Sequence, residues 1–196
     1  MTFSVFSSLT VYALATGWSP GPNNVLLMSM AGQFGFKKCL RFLAGICTGF
    51  LTVMLLCAIF SVGINRWLPG IVPLLKYVGA AYIFYLAIQT VRRKPVSETS
   101  KEQKVPTYTY GFLLQFINVK VILYGLSAIS GYVLPYETSV PILILFAFYL
   151  TFFGNTGNLI WALAGSLCRK YYNKYYLVFN IVIALLLLRC AYKLIW

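Results

Sequence analysis

Residues 112–134 of the chain read FLLQFINVKVILYGLSAISGYVL. This run is long enough to cross a bilayer, because a helix needs about 20 mostly apolar residues to span the hydrocarbon core. Lys120 is its only charged residue, and the chain contains no Asp and no His. The three acidic residues, Glu98, Glu102 and Glu137, lie in segments with the composition of loops. A cation inside an apolar span usually faces a partner, water or a substrate, so we expect a bound ligand to supply the anion opposite Lys120.

The rest of the chain is equally apolar. Its 196 residues are 60% hydrophobic with a mean hydropathy of +0.80, which is too apolar for an ordinary soluble domain. Six segments are long enough to cross a membrane, and they leave too few residues for a soluble domain. The sequence therefore predicts an all-α membrane protein, a single transmembrane domain over residues 1–196. Its six predicted helices are Phe3–Met30, Phe42–Gly63, Ile71–Val91, Phe112–Leu134, Pro141–Cys168 and Leu177–Ile195.

The net charge of +13 is distributed as in a membrane protein, which argues against a nucleic-acid partner. Cytoplasmic loops are enriched in Lys and Arg, and the odd-numbered connections hold most of the basic residues here. We therefore expect these connections to be cytoplasmic and both termini to be periplasmic, with the basic loops attracted to anionic headgroups of the lipid bilayer. The 11 of 16 basic residues in odd connections are Lys37, Lys38, Arg41, Arg92, Arg93, Lys94, Lys101, Lys104, Arg169, Lys170 and Lys174.

A polar stretch divides the chain into two halves of three predicted helices, about 1–91 and 111–196. Residues 92–110 contain Pro95, Pro106 and mixed charges, which is typical of a flexible linker, here on the cytoplasmic side. Because three is odd, the second half must enter the membrane in the opposite sense. This is the condition for an inverted repeat of two three-helix halves, common in secondary transporters.

The first apolar segment contains a helix-breaking motif, Ser-Pro-Gly-Pro-Asn-Asn at residues 19–24. Pro20, Gly21 and Pro22 predict a break or hinge, because proline removes a backbone donor and clashes with the preceding turn. Pro22 also suits the first position of a new half-helix. Asn23 and Asn24 would then lie at its positive end, where an anion is favoured. The alternative interpretation is a simple proline kink.

Polar residues of three predicted helices reach a similar depth. Counted from the predicted cytoplasmic ends at helical rise, Asn23 and Lys120 lie about 15 Å deep, near the middle of a ~30 Å core. This predicts a central binding site, with two alternatives: Lys120 snorkels to the cytoplasmic surface, or Asn118 and Asn158 only form hydrogen bonds between neighbouring helices. Arg189 is expected to snorkel at the external end of the last helix. The candidate substrate-binding residues are Asn23, Asn24, Gln115, Asn118, Lys120, Asn155 and Asn158.

The sequence offers no catalytic or metal-binding constellation. There is no His, no carboxylate in a predicted span, and no Ser or Cys with a neighbouring base. The five cysteines form no CxxC motif, so neither a zinc site nor a disulfide framework is predicted, and no cofactor is implied. Hard cations prefer carboxylates, which disfavours metal transport. Gly45 and Gly49 are predicted to permit close helix packing.

Several stretches resemble the LysE/RhtB-type amino-acid exporters of bacterial inner membranes: residues 20–26, 43–45, 53–58, 114–125 and 183–187. The resemblance covers nearly the whole chain. It implies a secondary exporter of small neutral amino acids and derivatives, such as cysteine and O-acetylserine, coupled to the proton gradient. Many relatives have an acidic residue where this chain has Asn23, so no carboxylate is expected to relay protons there. Many have proline where this chain has Val119, which removes one reason for a break in the fourth helix.

In the expected mechanism, Lys120 and the start of the half-helix at Pro22 hold the substrate carboxylate. Asn118, Asn155, Asn158 and Gln115 bind its amine or side chain, and Pro20–Pro22 permit the rocking that alternates access. The alternatives are a passive channel for small zwitterionic metabolites, an exporter of homoserine, threonine or leucine, and a structural subunit of a larger membrane complex.

Overall fold

The computed structural model describes residues 1–64, 68–92 and 106–195, and across these residues the chain forms helices and connecting turns without a strand. Residues 93–105 of the predicted linker lie outside the described residues, and α5 begins within the predicted linker range. A five-residue π-helical turn, Ile129–Val133, extends α6. The α-helices are α1 Phe3–Trp18, α2 Pro22–Phe34, α3 Phe36–Ile64, α4 Leu68–Arg92, α5 Tyr108–Ile117, α6 Val119–Ala128, α7 Val140–Leu167, α8 Arg169–Lys174 and α9 Tyr176–Ile195.

The fold is that of a helical membrane protein. In the described part of the chain, Phe36–Ser61 and Val140–Leu167 are single helices long and apolar enough to cross a bilayer. A third span is formed if Tyr108–Ile117 and Val119–Val133, which meet at a 59° bend, are taken together. All six predicted apolar segments coincide with helices, although the first and fourth are each divided in two.

The first segment breaks at its Pro-Gly-Pro motif. Helix α1 ends at Trp18, Ser19 and Gly21 have an extended backbone, and α2 starts at Pro22. Proline is favoured at this first position because its missing N–H would have no intrahelical partner there. The helix resumes as soon as the prolines allow it, and Val25 donates its backbone N–H to the carbonyl oxygen of Gly21 at 2.9 Å.

The fourth segment breaks at Asn118 without a proline. Asn118 has an extended backbone (φ −78°, ψ 90°) between α5 and α6. Its N–H donates to Leu114 at 3.0 Å, and its carbonyl oxygen accepts from Val121 and Ile122 at 2.9 and 3.2 Å. Backbone groups on both sides of the break are thus hydrogen-bonded, which is what an irregular segment at membrane depth requires.

Each broken helix packs against the long helix of the other half. Helices α1 and α2 lie against α7, α5 and α6 lie against α3, and α4 packs mainly against α9. Glycines permit the closest approaches. A Cβ on Gly45 would lie 2.0 Å from the carbonyl oxygen of Tyr108, and one on Gly49 would lie 2.6 Å from that of Phe112. Helices α3 and α5 are therefore in backbone contact.

Two apolar clusters fill the interior, and polar residues separate them. The first apolar cluster is built mainly from α2, α4, α9 and the start of α3, with one residue each from α5 and α7. The second is built from α1, α6, the π-helical turn, the later part of α3 and the start of α7. In α7, for example, Leu150 belongs to the second cluster and Ala162 to the first, with Asn155 and Asn158 between them. The two helix breaks lie in the same polar layer.

Candidate substrate site

Three buried amides join the two broken helices. Asn23, at the start of α2, donates to Gln115 Oε1 at 2.6 Å and accepts from Gln115 Nε2 at 3.1 Å. Asn118, at the second break, donates to the same Asn23 Oδ1 at 2.9 Å. Gln115 is fully buried, and its Nε2 also donates to the carbonyl oxygen of Gly111 at 3.0 Å. Asn23 therefore links the two halves through their breaks.

The ammonium of Lys120 lies on the first break. It donates to the carbonyl and hydroxyl oxygens of Ser19 at 2.8 and 2.9 Å and to the carbonyl oxygen of Pro20 at 3.2 Å. These oxygens follow the end of α1, where the helix dipole is negative and a cation is favoured. Gly21 gives the side chain room, since a Cβ there would lie 2.7 Å from Lys120 Nζ. Lys120 therefore faces the protein interior instead of snorkelling.

The other three predicted asparagines also form hydrogen bonds within the polar layer. Asn24 Nδ2 donates to the carbonyl oxygens of Gly17 at 3.1 Å and Ser19 at 2.8 Å. Within α7, Asn158 Nδ2 donates to Asn155 Oδ1 at 3.3 Å, and Asn155 Nδ2 reaches the carbonyl oxygen of Cys47 in α3 at the same distance. These bonds hold the polar layer together across α1, α3 and α7.

The polar layer lines a cavity of about 30 Å³. This volume holds a water or two and not an amino acid. Among the described residues that line this cavity, only Lys120 has an acidic or basic side chain. The lining consists of Thr16, Gly17, Gly21, Pro22, Asn23, Asn24, Phe50, Asn118, Lys120, Val121, Tyr124, Gly154 and Asn158.

One polar atom at this cavity has no partner in the described part of the chain. Asn118 is 2% exposed, and its Oδ1 is buried without a hydrogen bond. An unsatisfied buried acceptor costs about 1–3 kcal/mol. The atom is therefore ready to accept a hydrogen bond from a ligand that enters the cavity.

Five of the seven predicted binding residues line this cavity, namely Asn23, Asn24, Asn118, Lys120 and Asn158; the other two, Gln115 and Asn155, instead bond to lining residues. Sequence reasoning missed Ser19 as a partner of Lys120, although Ser19 belongs to the break motif. It also missed Tyr124, one helical turn after Lys120, whose hydroxyl donates to the carbonyl oxygen of Leu150 at 3.0 Å.

The described residues contain no group of metal-ligating side chains. The five cysteines all lie within the described ranges, and no disulfide joins any of them. The chemistry at the cavity is therefore that of one ammonium and several amides, which suits a ligand with both a carboxylate and an amine.

The family model described as LysE type translocator matches residues 14–196 of the chain. The chain belongs to the LysE translocator family. It is thus a transporter and not an enzyme, and its apolar helices make it an integral inner-membrane protein. The family resemblance drawn from the sequence motifs is confirmed.

The translocator also matches curated proteins over its entire length. It is 41% identical over 196 residues to the cysteine/O-acetylserine efflux protein of Escherichia coli (strain K12), with 100% of both chains covered. The proteins of the same name from Shigella sonnei (strain Ss046) and Escherichia coli O139:H28 (strain E24377A / ETEC) match with the same identity and coverage. No solved structure matches the translocator significantly.

Proposed function

We propose that this translocator exports cysteine, O-acetylserine and similar small neutral amino acids from the cytoplasm. The observation that carries the proposal is the cavity lined by polar residues at the two helix breaks, with an apolar cluster on either side. A carrier needs a central site that is closed off from both faces of the membrane and opened to one at a time. The full-length relatives named for cysteine and O-acetylserine efflux supply the substrate class.

We propose further that the protein has six spans arranged as an inverted repeat, with both termini periplasmic. In this arrangement α1 and α2 form the first span, α5, α6 and the π-helical turn form the fourth, and α3, α4, α7 and α9 form the others. If the two halves are exchanged, α1 and α2 correspond to α5 and α6, α3 corresponds to α7, and α4 corresponds to α9. The packing of α1 and α2 on α7 then becomes that of α5 and α6 on α3, and the α4–α9 pair is unchanged. This packing pattern and the two breaks at matching positions support the repeat.

The substrate would lie between the two breaks. Its carboxylate binds the ammonium of Lys120 and the positive start of α2 beside Asn23 and Asn24. Its ammonium group donates to Asn118 Oδ1, the buried acceptor without a partner. Because the cavity has a volume of about 30 Å³, the site must expand to admit the substrate. Pro20, Gly21 and Pro22 are the hinge about which α1 and α2 separate.

Coupling to the proton gradient is part of this proposal. Glu98 and Glu102 lie outside the described residues, and Glu137 is half-buried and accepts from the backbone N–H of Ser139 at 2.9 Å. No carboxylate therefore lines the cavity among the described residues. The proton would move with the substrate or on Lys120 itself.

Counterflow by the purified protein in liposomes tests the proposal. Vesicles loaded with unlabelled O-acetylserine should accumulate labelled O-acetylserine, and a panel of amino acids added outside should compete according to affinity. Saturable counterflow that responds to an imposed pH gradient supports a coupled carrier. Flux that never saturates and ignores the pH gradient would indicate a passive channel, and a lack of flux would indicate a structural subunit.

The variant Lys120→Met should lower counterflow about 10- to 100-fold, because hydrogen bonds to a charged group contribute about 1.5–3 kcal/mol each. The control is Lys38→Met, which alters an exposed lysine at the start of α3. Normal export by a correctly folded Lys120→Met protein would show that the carboxylate binds elsewhere.

A further inference from the structure

A second cavity lies on the other side of the first helix break. It has a volume of about 330 Å³ and is formed between the break, α4 and α9. Lys120 is the one described residue that lines both this cavity and the smaller one. The side chain of Lys120 therefore separates the two. The lining of the larger cavity, named here the side chamber, consists of Ser19, Pro20, Ile83, Lys120, Leu186, Arg189 and Cys190.

The structure places Arg189 beside the helix break. The neighbouring Cys190 Sγ donates to the carbonyl oxygen of Pro20 at 2.9 Å, which brings this turn of α9 to the level of the break. Arg189 is also 13 residues beyond the start of α9, about 20 Å along the helix axis. The sequence-based expectation that Arg189 lies towards the external end stays a prediction. Its side chain is exposed but lines the chamber beside the break, and ionisable side chains within a membrane span usually have a functional partner.

The chemistry of the side chamber is that of a carboxylate site. Lys120 and Arg189 provide two cations, and no acidic residue lines the chamber among the described residues. A guanidinium binds a carboxylate through two parallel hydrogen bonds. Ile83 and Leu186 supply apolar surface for the short side chain of a neutral amino acid. The volume of about 330 Å³ is within the usual range of small-molecule sites.

We propose that the side chamber is a second binding position on the transport path, where Arg189 takes over the substrate carboxylate from Lys120. This inference rests on the proposed export function and extends it. While Lys120 bonds to Ser19 and Pro20, the two cavities are separated; when the carboxylate draws the ammonium away from the break, the partition opens. The carboxylate then remains beside a cation throughout its passage between the cavities, which avoids the cost of an unpaired charge in a low-dielectric interior.

Transport by Arg189 variants provides the first test. In liposomes, Arg189→Gln should lower O-acetylserine counterflow at least tenfold, and Arg189→Lys should retain part of the rate because it keeps the charge. Arg92→Gln, at the exposed last residue of α4, is the matched control and should transport normally. Wild-type counterflow together with an unimpaired Arg189→Gln protein would overturn this inference and leave the export function intact. Absence of flux in the wild type would refute the export function itself.

Labelling of Cys190 provides a test that does not depend on turnover. In a variant with the other four cysteines replaced by serine, an anionic methanethiosulfonate reagent should modify Cys190 faster than a neutral one, because Lys120 and Arg189 attract it. O-acetylserine, which contains no thiol, should slow the modification. The added change Arg189→Gln should remove the advantage of the anionic reagent. A failure of O-acetylserine to protect Cys190 would contradict the proposal.

An anionic lipid headgroup is another anion that a membrane-embedded arginine can bind, and lipid composition distinguishes it from the substrate carboxylate. The effect of Arg189→Gln should be the same in phosphatidylcholine liposomes and in liposomes that contain anionic lipid. A defect seen in anionic lipid alone would show that the guanidinium binds a headgroup, and the proposal would be wrong.

Discussion

Lys120 stabilises the first helix break, and in the proposed function the same side chain also binds the substrate. The end of α1 leaves carbonyl oxygens at the break, and the ammonium bonds to Ser19 and Pro20 there. In a chain without Asp, these oxygens replace the carboxylate that would ordinarily neutralise a buried lysine. A substrate carboxylate is a stronger acceptor than a peptide carbonyl. Binding of the substrate carboxylate can therefore separate the Lys120 ammonium from the oxygens of Ser19 and Pro20. Occupancy of the site is thus linked to the geometry of the helix break.

At the same scale, Asn118 should determine whether the substrate needs an amine. Asn118→Ala should reduce the preference for cysteine over 3-mercaptopropionate, which lacks the amine, by about tenfold, because one hydrogen bond to a charged donor is lost. The measurement is competition of each compound with O-acetylserine counterflow. Asn180→Ala removes a similarly buried asparagine that does not line the cavity and should leave the preference unchanged. An unaltered preference in Asn118→Ala would place the amine elsewhere.

The sequence predicts the kinds of residue in the site better than their pairing. Asn23, Asn118 and Lys120 were identified because polar groups at one depth in apolar helices are costly unless they meet. Their bonds could not be predicted, because each depends on how two helices from different halves are rotated. The pairing of Lys120 with Ser19, for instance, requires both the break after Trp18 and the absence of a side chain at Gly21.

At the scale of helices, the two halves reach a break by different chemistry. Pro20 and Pro22 interrupt the first segment through local sterics, so the sequence predicts that break. Asn118 interrupts the fourth segment through its contacts with Asn23 and the adjacent turns, and no local signal identifies it. A single continuous helix over 112–134 was therefore the natural expectation, and the 59° bend corrects it.

The break in the first segment should be sensitive to a small change at Gly21. Gly21→Ala places a Cβ 2.7 Å from Cδ and Nζ of Lys120, so the flexible lysine must move off the break. The backbone there is extended, which alanine tolerates. We expect counterflow to fall severalfold with little change in melting temperature. A fall in melting temperature that accounts for the whole loss would contradict this role.

The contact between α3 and α5 should instead determine stability. Gly45→Ala places a Cβ 2.0 Å from a backbone oxygen of Tyr108, which cannot move without separating the two helices. Overpacking of this kind costs about 1–3 kcal/mol. The melting temperature in detergent should fall by several degrees. Gly131→Ala is the control, since no atom lies within 4 Å of its added Cβ, and a Gly45→Ala protein as stable as this control would contradict the expected contact.

At the scale of the molecule, the arrangement of two apolar clusters around one polar layer matches what alternating access demands. In the proposed carrier, one cluster would open while the other stays closed, and the α4–α9 pair, which packs mainly on itself, would move with the first cluster. Composition predicts a helical membrane domain because its apolar segments are long. It does not predict the clusters, since these combine residues that are distant in the chain.

Cysteine labelling should test the proposed orientation. In a background without native cysteines, Ser4→Cys and Thr138→Cys should react with a membrane-impermeant maleimide in right-side-out vesicles. Ser97→Cys, in the polar linker, should react only after permeabilisation, because the basic connections lie on the cytoplasmic side. Labelling of Ser4→Cys and Thr138→Cys on opposite sides would exclude the inverted arrangement of the halves.

The enclosure of α2 also has a consequence for biogenesis. Within this 13-residue helix, Met28 alone is not buried, and its backbone meets α7 at Gly165, where a Cβ would lie 2.1 Å from the Met28 carbonyl oxygen. Helix α7 does not begin until Val140, long after α2 has been synthesised. Helix α2 therefore stays incompletely packed until translation is nearly finished. A product truncated before α7 should be a substrate for membrane quality-control proteases.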